Sequence, residues 1–296
     1  MDGVTLGVGF AVLAAVALAV QSLAVRVSTR TRSLTDLVAG VFAVNVLVLL
    51  PVTVAVHGPS YGLTARSVVA FAVGGFLGSL LARVALFVGI QRLGASRAEP
   101  LKSTFPLVAV AGAVLLLEEP LTTTLVVGVV LLVGGAAAVS WDTRASPTTA
   151  SGRRAWVDMG FPLAAALLLG LDPVFTKTGL AEGTPALVGV TVRVLAAASG
   201  FGLYLLVDRL RNHGPWPVRP DRWTLVTGLA NTTYLGAYLI ALGRAPVSVV
   251  APILGASPLL VLVGSALFLG REERVSARLA VAVAVLVAGV VLVVGG

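Results

Sequence analysis

The sequence predicts an all-α integral membrane protein whose ten transmembrane helices form two inverted five-helix repeats. This prediction follows from the composition, the spacing of the apolar runs and an internal repeat. Hydrophobic residues make up 57% of the chain and charged residues 11%, whereas about 25% of the residues in a soluble domain are charged. A soluble core of 296 residues cannot bury so much apolar surface, but a lipid bilayer can surround it.

Ten apolar runs follow one another along the chain. A helix needs about 20 apolar residues to cross the hydrocarbon core, so we expect each run to form one span. The first run follows no basic residue and is too long for a signal peptide, which predicts an uncleaved first helix. The predicted spans are residues 4–25, 34–56, 66–90, 97–117, 123–140, 158–178, 184–207, 222–243, 247–269 and 275–295.

The second half of the chain repeats residues of the first half at a shift of about 152 positions. Residues 1–140 and 158–296 each hold five predicted spans, and residues 141–157 form a polar linker. Because five is odd, the second repeat must enter the membrane upside down, an arrangement typical of secondary transporters. The matched residues are Arg26 with Lys177, Arg92 with Arg244, Ser96 with Ser248, Pro100 with Pro252, Pro106 with Pro258, Gly112 with Gly264, and Glu118-Glu119 with Glu272-Glu273.

The matched residues also carry a family resemblance. The segment from Gln91 to Pro100, followed by Pro106 and Glu118-Glu119-Pro120, resembles the EamA domain, and residues 245–273 resemble a second copy. Over nearly its whole length the chain is similar to two-domain members of the drug/metabolite transporter superfamily. This resemblance implies a central cavity lined mainly by helices one to four and six to nine. The superfamily carries amino acids, sugar phosphates, nucleotide sugars and drugs.

The net charge of +8 is explained by membrane topology rather than by nucleic-acid binding. Most arginines lie in or beside the odd-numbered loops, whereas the even-numbered loops hold Arg66 and Arg244. The positive-inside rule therefore predicts cytoplasmic odd-numbered loops and both termini outside. Arg is far commoner than Lys, which is typical of GC-rich prokaryotic genomes, so we expect a prokaryotic plasma (inner) membrane.

Six charged residues lie within predicted spans. A charge at the centre of a membrane helix costs about 2.5–3.5 kcal/mol on insertion scales, so it usually faces a cavity or a partner. Four of the six are cations, and this balance favours an anionic or zwitterionic solute, because a cavity field acts strongly in low dielectric. The six are Arg83, Glu99, Lys102, Asp172, Lys177 and Arg193.

Arg193 and Asp172 each have two interpretations. Arg193 lies deep in the seventh span, where its guanidinium could clamp an anion or pair with Asp172. Asp172 precedes Pro173, and the two should weaken the sixth helix and expose backbone groups to a solute. Asp172 could titrate and couple transport to protons, or it could form a salt bridge to Lys177 or Arg193.

The other polar candidates keep alternatives as well. Glu99 and Lys102 share a helix face and either neutralise each other or bind solute together with Arg83. Lys177 either faces the cavity or reaches the membrane interface. The glutamates of the two Glu-Glu pairs are expected to be solvated loop or cap charges. Neutral residues that could bind solute or a neighbouring helix are Gln21, Asn45, Asn231, Tyr234 and Tyr238.

Together these patterns indicate a secondary transporter, expected to export a small anionic or zwitterionic metabolite, such as an amino acid or related organic solute, by alternating access. A proton-coupled multidrug exporter and a lipid-carrier flippase are the alternatives. An enzyme is not expected, since the sequence has no paired Asp in the expected Gly context, no Ser/His pair and no His-rich zinc motif. A nucleotide-driven pump is not expected either, since the sequence has no phosphate-binding loop. The expected partners are the bilayer, a small solute and, as a candidate coupling ion, protons. No cofactor, metal or nucleic acid is expected, and a monomer suffices although a dimer stays open.

Overall fold

The computed structural model describes residues 3–29, 31–93, 101–142, 153–212, 221–268 and 277–295. Regular structure in these ranges is helical throughout, without strands. The helices, labelled α1 to α12 in chain order, are Gly3–Ser28, Leu34–His57, Ala65–Gly74, Ala82–Leu93, Phe105–Leu117, Thr123–Asp142, Arg153–Ala181, Ala186–Asn212, Arg222–Arg244, Val247–Gly255, Ser257–Phe268 and Ala277–Gly295. A π-helical segment, Gly75–Leu81, joins α3 to α4.

Side-chain caps explain where several helices begin. The Ser33 hydroxyl accepts the Asp36 N–H at the start of α2, and Thr64 and Ser67 form a capping box at α3. Asp221 accepts the Thr224 N–H at 2.9 Å, and this hydrogen bond holds the pKa of the Asp221 carboxyl below its ordinary value. These polar residues end the apolar runs and fix the helix boundaries.

Six helical stretches are long and apolar enough to cross a bilayer, by length and composition. They confirm the corresponding predicted spans, and shorter apolar helices occupy the fourth, fifth and ninth predicted positions. Helices also cover both ends of the predicted linker, since α6 continues to Asp142 and α7 begins at Arg153. The six stretches are Gly3–Val25, Leu34–His57, Ala65–Leu86, Val157–Ala181, Ala186–Arg211 and Arg222–Arg244.

The structure corrects the predicted weakness at Pro173. Helix α7 continues through Pro162 and Pro173 to Ala181 without a break. Proline still removes the hydrogen bond to the carbonyl four residues earlier, on Leu169. The irregular backbone lies instead in the third span, at the π-helical segment Gly75–Leu81, and in the ninth span, where a turn at Ala256 separates α10 from α11.

The third span and α7 are joined to each other near both of their ends. At one end, Thr184 donates to the Gly62 carbonyl at 2.7 Å and joins the second and sixth loops. At the other end, Arg92 lies 3.1 Å from Asp158, next to the third and fifth loops. We call the first of these the even-loop end.

Several of the larger helix contacts have a counterpart when each half is exchanged for the other. Helix α1 packs on α9, as the third span packs on α7, and α5 packs on α7, as α10 and α11 pack on α1. Helix α2 contacts α9, as α8 contacts the third span. Three further contacts each join a helix to its own counterpart: α6 with α12, α2 with α8, and α5 with α10.

The largest apolar core lies mostly in the halves of the helices nearest the even-loop end. It combines small residues of α1 and α5 with Phe71, Val190, Leu242 and Val250, which are all fully buried. This core closes the space between the helices at that end. A polar cavity borders it on the side facing the middle of the helices.

Candidate functional site

The cavity has a volume of about 190 Å³ and takes its walls from both halves of the chain. It is bordered by α1, the third span, the beginning of the fourth span, α7, α8, α9, α10 and α11. The predicted site residues that line it are Arg83, Lys102, Asp172, Arg193, Asn231 and Tyr234, together with Gln21 and Tyr238.

Arg193 and Asp172 form a buried ion pair in the cavity wall. Arg193 Nη1 lies 2.5 Å from Asp172 Oδ1, and Nη2 lies 3.1 Å from Oδ2. Arg193 also donates to the Thr176 hydroxyl, and the Tyr238 hydroxyl donates to Asp172 Oδ2 at 3.1 Å. Only 2% of Arg193 and 5% of Asp172 are exposed. The pair foreseen as one interpretation is therefore present, while both side chains still border the cavity.

The π-helical segment Gly75–Leu81 packs directly on this ion pair. A Cβ atom at Gly78 would lie 2.7 Å from Asp172 Cγ, and one at Gly75 would overlap the Arg193 carbonyl oxygen. Larger residues at these positions would push the third span away from the pair. π-Helical turns occur frequently at functional sites, and this one directs Gly78, Ser79 and then Arg83 to the cavity.

Arg83 and Lys102 add positive charge to the cavity wall. Arg83 lies in α4 directly after the π-helical segment, and its side chain is partly exposed where it lines the cavity. Within the part of the chain that the structure describes, no carboxylate forms a salt bridge with Arg83. Lys102 lines the same cavity from the beginning of the fourth span. Both cations therefore border the same cavity.

A chain of amides crosses from the cavity wall into the helix packing. Asn231 lines the cavity and bonds Gln21 at 3.1 Å. The Asn45 amide lies 2.7 Å from that of Asn231 and bonds the Thr232 hydroxyl. Asn45 therefore contacts a neighbouring helix rather than the cavity. Its partner Asn231 is the residue that lines the cavity.

Two tyrosines of α9 form one wall of the cavity. The Tyr234 and Tyr238 rings stack with centroids 5.8 Å apart. The Arg193 guanidinium lies 5.7 Å from the centroid of the Tyr238 ring. The tyrosines therefore add an aromatic surface beside the buried ion pair.

Lys177 lies away from the cavity, towards the even-loop end. Its Nζ lies 3.5 Å from Glu119 Oε1 and 2.8 Å from the Ala245 carbonyl oxygen. Of the two positions considered for Lys177, these contacts correspond to the one near the helix ends. Glu99, the remaining predicted site residue, lies outside the described residues.

Sequence reasoning did not single out Thr176 or the role of Glu119. The spacing of Thr176, four residues after Asp172, places both on one helix face and could have indicated it. Glu119 was expected to be a solvated loop or cap charge. It does cap a helix, but that helix is α10 of the other half, and only 10% of its side chain is exposed.

The fold and the site together define a helical membrane protein with a polar cavity between its two halves. The chain belongs to the EamA-like transporter family, whose model matches residues 5–141 and again residues 158–295. A solved structure, described as a crystal structure of a protein, is 20% identical, with a TM-score of 0.76 over 98% of this chain and 95% of that one. This similarity shows a shared fold. A comparison with curated proteins gives no match.

Proposed function

We propose that this family member is a secondary transporter of a small anionic or zwitterionic metabolite, with export as the expected direction. The observation that carries the proposal is the charge of the cavity wall. Arg83, Lys102 and Arg193 line it together with Asp172, and Arg83 forms no salt bridge with a carboxylate among the described residues.

Arg193 and Asp172 largely neutralise each other's charge in the ion pair. Both oxygens of Asp172 accept hydrogen bonds from Arg193, and Tyr238 donates to one of them. Arg83 has no such carboxylate among the described residues. Because a charge inside the membrane is costly without a partner, a solute carboxylate or phosphate would offset the charge of Arg83.

The cavity size favours a small metabolite over a drug. A volume of about 190 Å³ is smaller than the roughly 300–1,000 Å³ of sites that hold drug-sized ligands. Asn231, Gln21 and Tyr234 supply neutral hydrogen-bonding groups at the same cavity. A multidrug exporter would need a larger apolar chamber, and a flippase would need an opening towards lipid.

Alternating access between two inverted five-helix repeats is the proposed mechanism, with ten spans in total. Two observations support it. Several of the larger helix contacts have a counterpart when the halves are exchanged, and the second and sixth loops meet at the end of α7 opposite to the Arg92–Asp158 contact. Two such halves can exchange conformations, which moves the opening of a central site from one side to the other. In a prokaryotic plasma membrane, the positive-inside rule would place the closed even-loop end outside.

Ligand-induced stabilisation tests the proposal. Purified protein in detergent would be melted with organic acids, sugar phosphates, amino acids and hydrophobic cations. A ligand that binds only the folded state stabilises it by about 2.7 kcal/mol at a hundred times its dissociation constant. We expect anions or zwitterions to stabilise the wild type and Arg66→Gln, whose arginine lies at the exposed even-loop end, and to lose this effect with Arg83→Gln. Stabilisation by hydrophobic cations alone would support the multidrug alternative and overturn the assignment.

A further inference from the structure

The even-loop end of the cavity is held together by a contact between the two halves. Glu119 follows α5 in the first half, and its carboxylate reaches the beginning of α10 in the second half. Glu119 Oε1 lies 2.8 Å from the Val247 N–H nitrogen, and Oε2 lies 2.9 Å from that of Ser248. Both oxygens therefore accept backbone hydrogen bonds at the start of the helix that continues into the cavity wall.

Lys177 of α7 adds a second connection at the same place. Its ammonium lies 3.5 Å from Glu119 Oε1 and donates to the Ala245 carbonyl at 2.8 Å, just before α10. Glu119 is thus bonded to α10 and to α7 at once. The apolar core of the even-loop end lies directly beneath, with Val247 and Val250 fully buried.

Water can reach the groups in these contacts more easily than it can reach the deeper ion pair. The N–H groups in the first turn of a helix have no partner inside the helix, so water can replace Glu119 once this end opens. Lys177 keeps 29% of its side chain exposed, and water can solvate its charge as well. In contrast, Arg193 and Asp172 are almost completely buried.

We propose that Glu119, with Lys177, is a latch that holds the even-loop end of the cavity closed and must release for transport. This inference rests on the proposed function. Glu118 gives the contrast, because it is the neighbouring glutamate and its side chain is exposed. The latch residues are also repeated in the sequence, where Glu119, Ser248 and Lys177 match Glu273, Ser96 and Arg26.

The accessibility of a buried position tests the latch without any knowledge of the solute. Because the chain has no cysteine, the substitution Ala241→Cys introduces a single thiol in the apolar core of the even-loop end. Ala241 is 0% exposed, so this thiol reacts only when that end opens. Full-length protein in liposomes would be labelled with a membrane-impermeant maleimide. In Glu119→Gln an amide NH₂ replaces one acceptor oxygen and faces a backbone N–H. We expect labelling to be about tenfold faster, as for the loss of a charge-assisted hydrogen bond.

Matched variants decide the outcome. Glu118→Gln should label at the wild-type rate. Lys177→Gln should label faster than the wild type but more slowly than Glu119→Gln, because Lys177→Gln keeps the two backbone hydrogen bonds of Glu119. Lys177→Gln also serves if Glu119→Gln fails to elute as a single species. Equal rates in the Glu119, Lys177 and Glu118 variants would overturn the latch. A protein that labels as expected but carries no solute would contradict the proposed function and leave the gating geometry intact.

Discussion

Separating the two members of the buried ion pair should destabilise the protein far more than removing both. Asp172 and Arg193 are 5% and 2% exposed, and two short contacts join them. Asp172→Asn leaves a buried guanidinium without its counter-charge, and Arg193→Gln leaves a buried carboxylate with hydroxyl donors only. Removing one partner of a buried pair costs about 3–5 kcal/mol. We expect each single variant to lose this much free energy of unfolding.

The double variant Asp172→Asn/Arg193→Gln should lose much less free energy of unfolding than either single variant, because it buries no unpaired charge. The measurement is equilibrium unfolding in mixed micelles titrated with sodium dodecyl sulfate. The matched control is the Arg66–Glu182 pair, in which Arg66 Nη1 lies 3.0 Å from Glu182 Oε1 and 73% of the Arg66 side chain is exposed. Such an exposed pair contributes about 0–1 kcal/mol to stability. If the losses of the two single variants add up to that of the double variant within about 0.5 kcal/mol, the two residues do not act as one unit and the reasoning is refuted.

Two further substitutions test the packing around the cavity. Gly75→Ala should destabilise the protein by about 1–3 kcal/mol, because the new Cβ overlaps the Arg193 carbonyl oxygen. The control Gly236→Ala should leave the melting temperature unchanged, because no atom lies within 4 Å of its Cβ. Equal effects of the two variants would contradict the close approach of the third span to Arg193. Asn45→Ala should cost about 0.6 kcal/mol, the average measured for hydrogen bonds between membrane helices, and at most about 1.7 kcal/mol, since it removes the partner of Asn231 and Thr232. A variant as stable as the wild type would show that the amide chain contributes nothing to folding.

The helical architecture was largely predictable because bilayer thickness fixes the length of an apolar run. Six predicted spans agree with helices of suitable length and composition, and polar residues such as Ser33 and Thr64 mark their boundaries. The π-helical segment was not predictable, because it depends on how Gly75 and Gly78 approach a different helix. Pro173 predicted a weakened sixth helix, whereas α7 is continuous through this proline.

The candidate site was predictable as a set of residue types but not as a set of partners. Charges within apolar runs must face a cavity or each other, and this reasoning identified Arg83, Lys102, Asp172 and Arg193. Sequence left open whether Arg193 pairs with Asp172 and did not indicate its bond to Thr176, because those contacts join different helices. Lys177 looked equivalent by composition, yet its position near the helix end gives it Glu119 as a partner.

Uptake into liposomes tests the transport proposal most directly. Purified wild type, Arg83→Gln and Arg66→Gln would be reconstituted, and counterflow of a radiolabelled carboxylate or phosphate that stabilises the wild type would be recorded. We expect saturable counterflow in the wild type and in Arg66→Gln. In Arg83→Gln we expect an apparent affinity at least about tenfold weaker, as for a lost hydrogen bond to a charged group. Counterflow that is equal in all three proteins, or absent above empty liposomes, would contradict a cavity that binds and carries an anionic solute through Arg83.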